Sequence, residues 1–145
     1  MKLSLKGVLI GGVVDIAASV LLGLPFAIYA MAKVDFSHLP DAEAPVALTA
    51  AIHKILPLYI GQLLVGMASS VLGGYVAAWL AKHDELLNGG LSSFLGIALG
   101  IYAMASGKDS SALWAQILLL LACPVFAIFG GDLKRRQRQH HALGR

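Results

Sequence analysis

Residues 7–23 read GVLIGGVVDIAASVLLG, an apolar run with a carboxylate, Asp15, near its middle. The run extends from Val8 to Met31, and roughly 20 apolar residues at 1.5 Å per residue suffice to cross about 30 Å of bilayer hydrocarbon. It contains twelve Leu, Ile, Val or Phe residues. Each favours insertion by about 0.3–0.6 kcal/mol, against about 2.5–3.5 kcal/mol lost for a charge at the helix centre. The segment therefore inserts with its acid on board. Its basic start, MKLSLK, and the Ala30-x-Ala32 pair resemble a cleavable signal, but the run is 24 residues long where a signal core has about 7–15. A retained span is expected.

Three further runs of the same kind follow: Ile55 to Leu80, about Leu87 to Ala105, and Ala112 to Gly130. Of 145 residues, 58% are hydrophobic and only 13% charged, with a mean hydropathy of +0.78; a soluble domain carries about a quarter charged residues. No run alternates with the period of two that barrel strands require. The expected fold is all-α, a four-transmembrane-helix bundle forming one integral membrane domain over residues 1–145. Residues 32–54 would be an external loop and 131–145 a basic tail.

Lys and Arg residues mark the cytoplasmic side of a span. Eight of them (Lys2, Lys6, Lys82, Lys134, Arg135, Arg136, Arg138, Arg145) fall on one side of such a bundle and three (Lys33, Lys54, Lys108) on the other. Both termini are therefore expected in the cytoplasm, with the net acidic loop outside. Beside a span, Lys134, Arg135, Arg136 and Arg138 read as anchors to anionic lipid headgroups, worth about 1 kcal/mol each near the surface. Nucleic-acid binding is not expected. Within the loop, PVALTAAIHKIL places apolar residues at helical spacing, which fits a surface helix over 42–54 or an early start to the second span.

Gly7, Gly11, Asp15, Ser19 and Gly23 recur every fourth residue, the small-xxx-small pattern through which membrane helices approach closely. The second span has Gln62, Gly66, Ser70, Gly74 and Ala78, preceded on the neighbouring row by Ser69 and Gly73; the third has Ser92, Gly96 and Gly100. Helices one to three are expected to pack through these rows, leaving the bulkier fourth, with Pro124, peripheral. Matching depths places Asp15 level with Ser69, Ser70, Ser92 and Ser93. No Lys or Arg lies at that depth, so the acid is either a neutral hydrogen-bonding member of a helix contact or a site for a proton or cation.

Other polar groups carry weaker signals. Gln62 and Gln116 could bond between the second and fourth helices. His83, Asp84 and Glu85 are adjacent on a short loop and cannot all face one ion. His38, Asp41, Glu43 and His53 match no metal-site spacing, and no metal or cofactor is expected. Neither nucleophile elbow, phosphate loop nor HExxH is present, so an enzyme is not expected. The single cysteine, Cys123, cannot form an internal disulfide.

The stretch GGYVAAWLAKHDELLNGGLSSFLG, residues 73–96, with Gly73, Gly74, Tyr75, Ala77, Ala81, Leu87 and Gly90, resembles a group of small bacterial inner-membrane proteins of unknown function. That resemblance implies a multi-pass inner-membrane location and no particular activity. In architecture the chain is also similar to the small multidrug-resistance exporters, dimers that exchange protons for cationic drugs through a membrane-embedded carboxylate. It differs in having Asp for Glu, a longer external loop and no aromatic residue at mid-helix other than phenylalanine. Three functional expectations follow. The leading one is packing or assembly, as a homo-oligomer or within a larger membrane complex. The second is a small proton- or cation-coupled transporter using Asp15, and the third a pH or metal sensor through His38, His53 and the acidic loop.

Overall fold

The computed structural model describes residues 2–33, 40, 43–106 and 113–143, the side chains of 113–115 and 141–143 excepted. Six helices follow one another: α1 (Leu5–Lys33), α2 (Ala44–Lys54), α3 (Leu56–Ala81), α4 (Glu85–Ser92), α5 (Phe94–Ala105) and α6 (Leu113–Leu143). There is no strand among the described residues. Four segments are long and apolar enough to cross a membrane: α1, α3, α4 with α5, and α6. They run alternately up and down. The ends of α1, α4 and α6 that carry the chain termini or face them form one end of the bundle, the terminal end; α2 sits at the opposite, loop end.

The breaks have local causes. Ile55 is extended (φ −98°, ψ 94°), and the proline that follows it, Pro57, occupies the first turn of α3, where a missing N–H is harmless. α2 is thus a helix of its own and not an early start to the second span. α3 stops at Lys82, which is left-handed (φ 58°), and Asp84 is left-handed too (φ 43°), turning the chain back within three residues. The third span runs through α4 and α5 in succession, with a one-residue irregularity at Ser93, which keeps right-handed dihedrals (φ −70°, ψ −8°). The tail expected beyond Gly130 is instead a continuation of α6 to Leu143.

The interior is built of small side chains. Buried apolar residues are Ala30, Ala51, Ile52, Ala77, Ala78, Ala81 and Ala127, while many Leu, Ile, Val and Phe face outward. Lipid is as apolar as leucine, so nothing drives large side chains inward, and close backbone approach supplies the cohesion. A methyl added at Gly11 would stand 2.6 Å from the Gly73 carbonyl oxygen, and one at Gly7 2.9 Å from that of Ala77. One at Gly74 would run into the Ala127 carbonyl, and one at Gly131 would lie 2.6 Å from that of Glu85.

These contacts correct the expectation that the fourth span is peripheral. From Ala127 to Gly131, α6 lies against both α3 and α4, because Ala127, Gly130 and Gly131 give it a slender face at the terminal end. Its bulkier loop-end half, before Pro124, is the loosely packed part. Two expected packing residues do not pack: a methyl at Gly23 or Gly66 would meet nothing within 4 Å. Ser19 is only half-buried. Gly100 does face α6, where a methyl would touch Leu120 at 3.0 Å.

Candidate functional site: Asp15 and the cavities beside α6

Asp15 is the eleventh residue of α1, about 15 Å along the axis from its start. It is 6% exposed. Gly73 makes the burial possible: a methyl there would stand 2.7 Å from the Asp15 Cβ, so α3 can lie directly over the acid. One turn back on α3, the Ser70 hydroxyl donates to both carboxylate oxygens, at 3.4 and 3.3 Å. An unstrained O–H···O bond is about 2.7–2.8 Å. The acid is therefore held loosely by its one hydroxyl donor, and no ion pair with a described residue neutralises it.

The remaining hydroxyls divide. Ser69, on the row of Gly73, is fully buried, and its oxygen has no partner among the described residues. Ser92 and Ser93 do not join the site: their hydroxyls donate to the Gly89 and Gly90 carbonyls, at 2.6 and 2.7 Å. They also sit a turn too near the terminal end. The Ser92 carbonyl lies against Gly12 and its Cβ against Gly11, whereas the residue level with Asp15 is Gly96, where a methyl would stand 3.7 Å from Oδ2. The third span is offset by one turn because its helix starts at Glu85.

Two cavities open beside this cluster. The larger, about 310 Å³, lies between α3 and α6 with α2 at its rim; Thr49, His53, Tyr59, Gln62, Ser70 and Cys123 are its polar lining. It descends from the loop end to Ser70, the residue that holds Asp15. Gly66 lines it, and a larger side chain there would project into the space. The smaller, about 170 Å³, lies between α5 and α6 and is bounded by Gly96, Gly100, Gln116 and Cys123. Cys123 thus faces both cavities, one of which it shares with Ser70. The position of Cys123 between the two cavities follows from the splay of α6, which no spacing in the sequence signals. Gln62 lines one cavity and Gln116 the other.

At the terminal end the polar residues lock the bundle. Asn88, fully buried, accepts from the Ser4 N–H at 2.7 Å and donates to the carbonyls of Lys2, His83 and Asp84. The Asp84 carboxylate accepts from the Lys2 N–H at 2.5 Å. Basic residues of α6 also make contacts within the chain while Arg136 and Arg138 stay largely exposed. Arg138 pairs with Glu85 at 2.7 Å and donates to the Lys82 carbonyl at 2.5 Å, Arg136 pairs with Asp132 at 2.6 Å, and Lys134 lies 5.4 Å from the centre of the Tyr75 ring. Arg135 lines a shallow cleft with Glu85 and Arg138. The helical continuation of α6 is what brings these groups back to α3 and α4.

His38 and Asp41 lie outside the described residues, so only His53 and Glu43 of the acidic-loop group can be placed. His53 packs edge-on against Tyr59, ring centres 5.0 Å apart. Among the described residues no three His, Cys, Asp or Glu side chains are grouped to hold a metal ion. No protein-family model, curated protein or solved structure matches this chain.

Proposed function

We propose that the protein is a small membrane transporter in which Asp15 exchanges a proton or a monovalent cation with the loop-side solution. The observation that carries this reading is the 310 Å³ cavity running from α2 to Ser70, whose hydroxyl is the loose partner of the buried acid. A carboxylate inside a membrane is costly and is retained where it lines an ion or substrate path. Ser69 adds a second buried oxygen with no bond of its own, so a small cation could find ligands from Asp15, Ser69 and Ser70 together. With the termini in the cytoplasm, as the distribution of Lys and Arg favours, the cavity faces outward.

The alternative, assembly through small-residue rows, is less well supported. Gly7, Gly11, Gly73 and Gly74 are consumed by contacts within the chain; Gly23 is the member of the rows left open on α1. The test is proton movement in liposomes containing the reconstituted protein and an internal pH indicator, with sodium, potassium or a lipophilic ammonium ion supplied outside. Wild type should move protons with at least one of them, and Asp15→Asn should insert and fold but move none. Equal traces from the two proteins would leave the acid a structural member of a helix contact.

A further inference from the structure

At the terminal end a cleft of about 420 Å³ separates the start of α1 from the end of α3; Ser4, Lys6, Gly7, Trp79, Leu80 and Lys82 line it. We infer that this cleft binds the phosphate headgroup of an anionic membrane lipid. Lys6 and Lys82 bring two ammonium groups to its walls, and neither has an ion-pair partner among the described residues. This contrasts with α6, where Arg136 and Arg138 are paired. The Ser4 oxygen accepts from the Gly7 N–H at 3.2 Å, which leaves its hydroxyl proton available to a phosphate oxygen. Trp79, 55% exposed, supplies an indole N–H and the amphipathic ring favoured at headgroup depth.

Two features fit a lipid better than a free anion. Ile10, one turn beyond Lys6 on α1, and Leu72, two turns before Trp79 on α3, are 36% and 45% exposed, so apolar side chains continue the helix faces of Lys6 and Trp79 away from the terminal end and can meet acyl chains. Lys82 holds a left-handed conformation at the end of α3 (φ 58°), a position that glycine usually fills without strain. A lysine there gives up backbone ease and gains an ammonium at the mouth of the cleft. The contact with lipid is independent of the transport reading and can fail or hold without it.

Trp79 itself provides the readout, since Trp114, the other tryptophan, lies at the opposite end of the bundle. The full-length Trp114→Phe protein is reconstituted in phosphatidylcholine vesicles containing a minor fraction of brominated phosphatidylglycerol or, in parallel, of brominated phosphatidylcholine. Trp79 should be quenched preferentially by the anionic lipid. Lys6→Gln or Lys82→Gly should each lower that preference about fivefold, and the two together about thirtyfold. Lys82→Gly relieves the left-handed residue, so loss of the preference cannot be assigned to misfolding, and Lys6→Gln provides the second, independent variant. Arg135→Gln with Arg136→Gln should leave the preference unchanged. Equal quenching by the two lipids, a preference that survives the double lysine variant, or one lost with the arginines would overturn the assignment. Inorganic phosphate that abolishes the preference would also overturn it, by making the cleft a site for a free anion.

Discussion

The two halves of this bundle are built from the same kinds of residue and behave oppositely. In the terminal half, glycines on α1, α3, α4 and α6 meet carbonyls and methyls of their neighbours, and Asn88 ties the chain start to the turn after α3. In the loop half α1, α2 and α3 still bury Ala30, Ala51 and Ile52, but Gly66 and Gly23 meet nothing, none of the residues of α5 is buried, and two cavities flank α6. A glycine row therefore has no fixed meaning in a membrane helix. It brings helices together where backbones approach closely, as at Ala127, and leaves space where the facing helix stands off, as at Gly66 opposite Leu119 and Cys123. Pro124, within α6, stands at the change from one regime to the other.

The largest expected effect breaks the sealed half. In Gly74→Leu the new side chain collides with the Ala127 backbone, which cannot rotate away, so a loss of about 3 kcal/mol or more is expected in an unfolding titration. Gly66→Leu, at a row position of the same kind, should change stability by less than about 1 kcal/mol because it enters open space; its effect should be on transport, by filling the cavity. Similar losses from both variants would erase the distinction between the halves.

Next in size, Asp15→Asn keeps the shape of the acid and the Ser70 contact, so stability should shift by no more than about 1 kcal/mol, while proton movement disappears. Removing the Ser69 hydroxyl with Ser69→Ala should be neutral or slightly stabilising, because the oxygen is buried and unpaired. If that oxygen serves as a cation ligand, the same variant weakens cation dependence without affecting the fold. A small effect should also come from Arg138→Ala at the terminal end: its guanidinium is largely exposed, and such pairs contribute about 1 kcal/mol or less.

Much of the fold was legible in the sequence because hydrophobic run length is a strong signal: the four spans agree with the structure to within a few residues, apart from the irregularity at Ser93 and the longer α6. The depth match between Asp15, Ser70 and Gly73 was legible too, since helix rise fixes it once the turns are short. The role of α6 was not. Its tight half depends on Ala127, Gly130 and Gly131, three small residues at the edge of the apolar run, where they read as a helix end. Ser92 and Ser93 were misplaced by one turn because the start of α4 is set by the turn at Lys82 and Asp84, two left-handed residues that are not glycine. The cavities were invisible, since they depend on how far α6 leans from α3 and α5, and no residue spacing encodes that.

On this reading the loop half is open to water as deep as the residues around Asp15 while the terminal half is closed. The single native cysteine allows a direct test, because Cys123 faces both cavities and is part-exposed. In vesicles of known protein orientation, a charged, membrane-impermeant thiol reagent should modify Cys123 from the loop side and not from the terminal side, and Gly66→Leu should slow the reaction. A cysteine placed at Ala77 in a Cys123→Ala background, within the sealed half, should resist from both sides. Protection of Cys123 from both sides, or modification from the terminal side, would contradict the account.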